Sequence, residues 1–387
     1  MPGNELIGEE EKNAIIEIFS KSNGVFFAHG YDKRRNSIYR VRNFEREISN
    51  KFNVNFTQLV SSGTIAQVVA MLSLGIKPGD EVITQSHTFV ATVEAILSIG
   101  AIPVIADIDE TFNICPIDLE NKISKKTRLI IPVHMLGNPC EMNDIIRISK
   151  KYKIPILEDA CEAFGANYQG KPLGTIGDIG VFSLDFGKTI TCGEGGIICT
   201  DKKTVYEFCR DYHDHGHQNN PNFSRADDTR VMYGLNYRIT EFQAAIGIEQ
   251  LKKLDFILKS NKKNKKTLKE NINSSNLKFR TITDKEGELS DTLIFYFENK
   301  KLTGKFLKSF FSKGYNTKNI PDALRWHFSG YWEHMFDKNS KYFSYDRNWI
   351  KSKNLLERSV SIPINNLYKE NQLEYMIDDI NKILKTI

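Results

Sequence analysis

Four places in the sequence carry residue types that can do chemistry. Lys188 stands between an apolar run, Val181-Phe182-Ser183-Leu184, and a glycine-rich turn, Gly193-Glu194-Gly195-Gly196. Lysine is normally exposed. A partly desolvated lysine loses basicity and can condense with an aldehyde as a Schiff base at neutral pH, and glycines let backbone approach a bound group closely. An ordinary loop lysine is the competing reading. Asp159 ends the run Pro155-Ile156-Leu157-Glu158-Asp159. Ligands of open α/β sheets sit beyond the carboxyl ends of strands. An aspartate there can hold the protonated nitrogen of a pyridine ring and keep the ring an electron sink; it can also cap a helix or bind a metal. Ser61-Ser62-Gly63-Thr64 falls between a strand and a helix, where free N–H groups and the helix dipole bind phosphate, or where a serine simply caps. Phe89 can stack on a flat heteroaromatic ring or fill a core.

Two other patterns compete. Gly174-Thr175-Ile176-Gly177-Asp178-Ile179-Gly180 is glycine-rich, but it is not the G-x-G-x-x-G of a first βα unit, so a nicotinamide enzyme gains little from it. In His213-Asp214-His215-Gly216-His217, alternate histidines of an extended segment share a face and can ligate a metal. No H-E-x-x-H accompanies them, and a polar loop fits better than a metal site.

The elements that must position these residues follow from apolar runs. Strands are expected at 58–60, 81–84, 103–107, 129–134, 155–159 and 197–200, with helices at 65–74, 90–97 and 143–152 between them. Continuous rather than alternating apolar strands in βαβα order predict a buried, mostly parallel sheet with helices on both faces. A long helix is expected over 241–267, then a strand at 292–297 and a helix over 372–387. This reads as a large α/β domain over 1–250, whose N-terminal segment packs with the other domain, and a smaller α+β domain over 251–387.

Composition narrows the setting. Of 387 residues, 40% are hydrophobic and 26% charged, and 53 Lys+Arg against 48 Asp+Glu leave a net charge of +5. That mild excess suits an anionic small substrate but is too weak to argue for nucleic acid. No run of 18 apolar residues predicts a membrane span, and the acidic N-terminus shows no secretory signal. The six cysteines form no C-x-x-C pair and read as reduced and buried, as in a cytoplasmic protein.

The motifs in this order, Ser61-Ser62-Gly63-Thr64, Thr88-Phe89-Val90-Ala91-Thr92, Glu158-Asp159-Ala160-Cys161-Glu162-Ala163, Ser183 through Lys188, Gly193-Glu194-Gly195-Gly196 and Gly234-Leu235-Asn236-Tyr237-Arg238, resemble the DegT/DnrJ/StrS sugar aminotransferases. The resemblance runs from about residue 5 to the C-terminus. It implies the fold type I architecture of pyridoxal 5′-phosphate (PLP) enzymes and transfer of an amino group from L-glutamate to a keto sugar for bacterial surface polysaccharide. By the same resemblance, Lys188 carries the Schiff base and shuttles a proton, and Asp159 pairs with the pyridinium nitrogen. Ser62, Gly63, Thr64 and Ser183 hold the phosphate, and Phe89 stacks on the ring. Asn236 reaches the phosphate of a neighbouring subunit, so a homodimer with shared sites is implied.

Within the family, Met1-Pro2-Gly3, residues 188–196 and 211–217, and Arg325-Trp326-His327 are most similar to 8-amino-3,8-dideoxy-octulosonate transaminases, lipopolysaccharide enzymes that aminate the 8-oxo form of an acid sugar. His215, His217, Arg325 and His327 are then candidates for that sugar's carboxylate. A nucleotide-linked 3- or 4-keto-deoxyhexose is the alternative acceptor. Many relatives have Gln or His at Glu162, beside the cofactor's phenolic oxygen; a glutamate there must be protonated to donate a hydrogen bond, or turn elsewhere. Relatives with His at the Lys188 position are dehydratases, and Lys188 argues against that chemistry. A metal-dependent hydrolase is the remote alternative.

Overall fold

The computed structural model describes residues 2–273, 275–336 and 348–387; Met1, the first residue of the Met1-Pro2-Gly3 piece, lies outside them. The apolar runs become the strands of a central sheet: β1 (Phe56–Val60), β2 (Glu81–Gln85), β3 (Ile102–Ala106), β4 (Thr127–Ile130), β5 (Leu157–Asp159), β8 (Ile179–Ser183) and β9 (Gly196–Thr200), with a small hairpin of β6 (Asn167–Tyr168) and β7 (Lys171–Pro172) between β5 and β8. Strands β3-β2-β4 pair in parallel, and β1-β9-β8-β5 pair beside them. Parallel bridges Ile130–Ile156 and Val133–Asp159 join the two sets, and Asp159 N donates to Pro132 O at 3.0 Å. The expected strand over 129–134 is therefore shorter: after Ile130 the chain stays beside β5 only through single bridges.

β9 runs against both of its neighbours, a reversal that the apolar pattern does not signal. Its consequence is local. An antiparallel pair needs no crossover helix, so β8 passes to β9 through one loop, and Lys188 sits on that loop at the carboxyl end of β8.

Successive strand residues point to opposite faces, and the core divides accordingly. Leu59, Ile83, Phe182 and Ile197 join one buried cluster, while Val60, Val82, Val181 and Ile198 join another. The helices up to this point are α1 (Pro2–Glu5), α2 (Glu9–Lys21), α3 (Arg40–Phe52), α4 (Gly63–Ser73), α5 (Ala91–Ser98), α6 (Pro116–Asn121), α7 (Met142–Tyr152) and α8 (Lys203–Tyr212). Ile145 and Ile148 of α7 pack into the first cluster, with Val41, Phe44, Ile48 and Phe52 of α3. Val68, Val69 and Met71 of α4 pack into the second.

Helix α9 (Glu241–Asn271) starts at a capping box, in which Thr240 Oγ1 accepts from Gln243 N and the Gln243 side chain accepts from Thr240 N. Gly247 lets it lie close to α3, since a Cβ there would fall 2.3 Å from Phe44 Cε1. Leu251, Leu254 and Ile257 of α9 belong to the first cluster, whereas Leu268 belongs to a third. That third core lies under the antiparallel sheet of β10 (Lys278–Phe279), β11 (Thr292–Tyr296) and β12 (Ser359–Pro363), covered by α10 (Lys300–Ser312) and α13 (Glu370–Leu384). The short helices α11 (Leu324–His327) and α12 (Ile350–Leu356) bring Leu324 and Leu355 against Val90 and Val93 of the α5 region. Among the described residues, no helix is long and apolar enough to cross a membrane.

Candidate active site

The carboxyl ends of β5 and β8, the start of α4 and the segment after β2 open on one cavity of about 410 Å³. Ser62, Gly63, Thr64, Phe89, Asp159, Glu162, Ser183, Lys188 and His327 all line it. Asp159, 2% exposed, forms its floor. Its Oδ2 accepts from Gln67 Nε2 at 3.0 Å and from Thr92 Oγ1 at 2.8 Å, and its Oδ1 accepts from Cys161 N at 3.1 Å. These three donors hold the carboxylate in one orientation. Buried beside it, Gln67 Oε1 has no hydrogen-bond partner among the described residues.

The end of the cavity at the start of α4 is built by close packing. Ser62 caps α4, its Oγ accepting from Ile65 N at 3.2 Å. A Cβ at Gly63 would fall 2.8 Å from Ser183 Cβ, so only glycine lets the first turn of α4 meet the end of β8. A Cβ at Gly196 would fall 2.1 Å from Ser62 O, so Gly196 permits this approach of strand to turn. Ser183 Oγ accepts from Asp185 N at 3.2 Å, and Lys188 N donates to Asp185 O at 3.0 Å, which folds the loop and turns Lys188 into the cavity.

Lys188 departs from expectation in its basicity. Burial does oppose its charge, but Glu162 first, then Cys161, Asp185 and Asp159, outweigh burial and raise its pKa. The sequence pattern announces the buried position and not the carboxylates around it. Glu162 is equally decided. Burial would raise its pKa, yet Lys188, His327 and Lys318 hold it down at about 2. Its Oε2 accepts from Leu136 N at 3.1 Å and its Oε1 from Asn319 Nδ2 at 3.3 Å. It is an ionised acceptor surrounded by donors, not a protonated donor.

Other expected residues do not assemble here. Arg325 is exposed, one residue from Trp326, which is 59% exposed, and neither lines the cavity. His215 is exposed with a φ of 56°. His217 pairs with Asp228 at 3.2 Å, and His213 turns inward to Arg210 O at 2.6 Å. The alternate histidines thus face different surroundings, because Gly216 and the positive φ of His215 break the extended path that would align them. Among the described residues no group of three or more His, Cys, Asp or Glu converges as metal ligands. Asn236 is exposed and outside this cavity, bridged to Asp214.

The cavity also contains residues that sequence reasoning passed over. Gln67 stands one helical turn beyond Thr64 on α4, a spacing that puts both on one face, and Thr92, at the start of α5, lies 2.8 Å from Thr88 Oγ1 through its own hydroxyl. Lys318, Asn319 and Asp291 come from the C-terminal region, with Lys318 Nζ 2.6 Å from Asp291 Oδ2; no local signal marks them. Taken together, the donor set suits a phosphorylated pyridine aldehyde: a fixed carboxylate for the ring nitrogen, a half-exposed phenyl ring, open amides at a helix start with a serine for the phosphate, and an amine for the aldehyde.

Comparison with known proteins bears on this arrangement. Residues 33–381 match the DegT/DnrJ/EryC1/StrS aminotransferase family. The chain belongs to that family. A GDP-perosamine synthase of Escherichia coli O157:H7 is 39% identical over 235 residues, covering 60% of this chain and 63% of the relative. This chain therefore spans just under two thirds of that relative's length. Among solved structures, an aminotransferase from Psychrobacter cryohalolentis superposes with a TM-score of 0.83 at 24% identity over 98% of both chains. The E. coli GDP-4-keto-6-deoxy-D-mannose-3-dehydratase with bound hydrated PLP does so with a TM-score of 0.81 at 24% identity over 97% of both. The architecture is that of fold type I PLP-dependent transferases, as expected.

Proposed function

We propose that this chain is a PLP-dependent aminotransferase that moves the amino group of L-glutamate to a keto sugar, and that the sugar is a nucleotide-linked 3- or 4-keto-deoxyhexose. The observation that carries the first part is one cavity holding Lys188, the anchored carboxylate of Asp159 and the anion-binding turn at Ser62-Gly63-Thr64. Bound PLP supplies an electron sink for the bond-breaking step. Asp159 would pair with the ring nitrogen, and Ser62, Gly63, Thr64 and Ser183 would bind the phosphate. Phe89 would cover the ring, and Lys188 Nζ would hold and return a proton. Lysine rather than histidine at position 188 favours transamination over dehydration. Asn236, exposed on the surface, is assigned to a partner subunit's phosphate site in a cytoplasmic homodimer.

For the acceptor, the expected carboxylate seat of an acid sugar is missing from the cavity: of His215, His217, Arg325 and His327, His327 alone lines it. That weakens the 8-oxo-octulosonate reading, and a relative named for a GDP-linked amino sugar supports the nucleotide-linked one. The test uses purified protein loaded with PLP. Glutamate alone should bleach the visible band of the covalently held cofactor, and Lys188→Ala should lack that band and all turnover. A Lys188→Ala protein that kept both would overturn the cofactor assignment. Amination of the octulosonate but of no nucleotide-linked 3- or 4-keto-deoxyhexose would overturn the acceptor.

A further inference from the structure

Lys188 and His327 share a counter-ion. Glu162 Oε1 lies 4.0 Å from Lys188 Nζ and 3.7 Å from His327 Nε2. We propose that His327 is the site's second proton carrier, charged when Lys188 is not, with Glu162 as the carboxylate that couples them. This deepens the aminotransferase reading and rests on it for its purpose, but not for its test.

The geometry fixes which atom is involved. His327 Nδ1 lies 2.8 Å from Ala323 O. A carbonyl only accepts, so Nδ1 carries a proton at all times and donates it there. In the neutral ring Nε2 is then a bare lone pair facing a carboxylate oxygen. Protonation converts Nε2 into a donor toward Glu162, so Nε2 is the atom that gains and loses the proton. The backbone keeps the ring in place: Thr88 N donates to His327 O at 3.1 Å, and Val90 N donates to Trp326 O at 2.8 Å.

The charge balance closes without any further reactant. With Lys188 an ammonium, Glu162 a carboxylate and His327 neutral, the trio has no net charge. If the proton leaves Nζ and is taken up at Nε2, the trio again has no net charge, and Glu162 is never left buried without a cation. The surroundings oppose a second positive charge while Lys188 carries the first. Burial lowers the His327 pKa first, and among the charged groups facing it Lys188 lowers it further, while Glu162 and Asp322 raise it. Lys318 also faces Glu162 but is itself tied to Asp291, and the nearby His87 is buried and held at about 4. In amino transfer Lys188 alternates between a covalently engaged and a free amine, and His327 gives the site a place to keep the displaced proton.

Titration of the imidazoles by nuclear magnetic resonance in the cofactor-free protein tests this, with His327 assigned through His327→Asn. Lys188→Met should move the His327 midpoint to higher pH. Lys188→Arg, which keeps the cation, should leave it in place, and Glu162→Gln combined with Lys188→Met should cancel the rise. A midpoint unmoved in Lys188→Met, moved equally in Lys188→Arg, or still raised in the double variant would overturn the coupling. None of these readouts requires turnover, so a protein that failed to bind PLP would sink the aminotransferase reading and leave this result standing.

Discussion

At the scale of the residue, the local motifs were legible because their chemistry is local. Asp159, Ser62, Gly63, Ser183 and Lys188 each stand at the end of an apolar strand or the start of a helix, and such ends collect at one edge of an α/β sheet. The protonation states were not legible. Lys188 reads as a lysine with lowered basicity until its three carboxylate neighbours are placed around it, and Glu162 reads as ambiguous until Leu136 N, Asn319 and His327 are seen to surround it. Apart from Asp185, those partners lie far off in sequence. The depressed pKa of Glu162 has a measurable effect on stability. Folding lowers it from 4.5 to about 2, so its ionised form stabilises the fold above pH 4.5, and that contribution is lost as the pH falls toward 2. Urea unfolding across this window should therefore show a steeper loss of midpoint with falling pH in the wild type than in Glu162→Gln; parallel slopes would contradict it.

At the scale of the element, apolar continuity predicted nearly every strand and helix that surrounds the site. It missed the reversed direction of β9 and the early end of β4, because a fully buried strand carries no mark of its direction and pairing by isolated bridges has no sequence pattern. The resemblance, not the apolar pattern, offered His215, His217 and Arg325 with His327 as candidates for one carboxylate, and of these His327 alone lines the cavity. Solvent exposure of a segment is decided by what packs against it, and among the described residues Arg325 and Trp326 of α11 are left exposed. Close helix approach is likewise set by the tertiary structure. Gly247→Ala should destabilise the protein by about 1–3 kcal/mol, the usual cost of overpacking, because its new methyl would fall on the ring of Phe44. Chemical denaturation measures this, and a neutral result would mean that α3 and α9 slide apart freely.

At the scale of the whole molecule, α9 runs without interruption through the expected boundary near residue 250, contributing Leu254 to one core and Leu268 to another. Whether a second subunit completes the site is a separate matter, and the exposure of Asn236 makes it testable. If Asn236 serves a neighbour, Lys188→Ala and Asn236→Ala proteins, each inactive alone, should regain part of the activity when unfolded, mixed and refolded together. Mixed dimers then contain one site with both residues intact, and a mixture as inactive as its parents would contradict a site shared between subunits.

The backbone bonds of Thr88 to His327 and of Val90 to Trp326 join the segment after β2 to one near the other end of the chain. Contacts of such long sequence separation form late, since the chain must close a very large loop before they reward it. A nascent chain can therefore assemble its sheet, and with it Asp159 and Lys188, well before His327 arrives. The lysine would meet cellular aldehydes before its proton partner is in place, which makes the order of assembly itself a safeguard or a liability for the newly made protein.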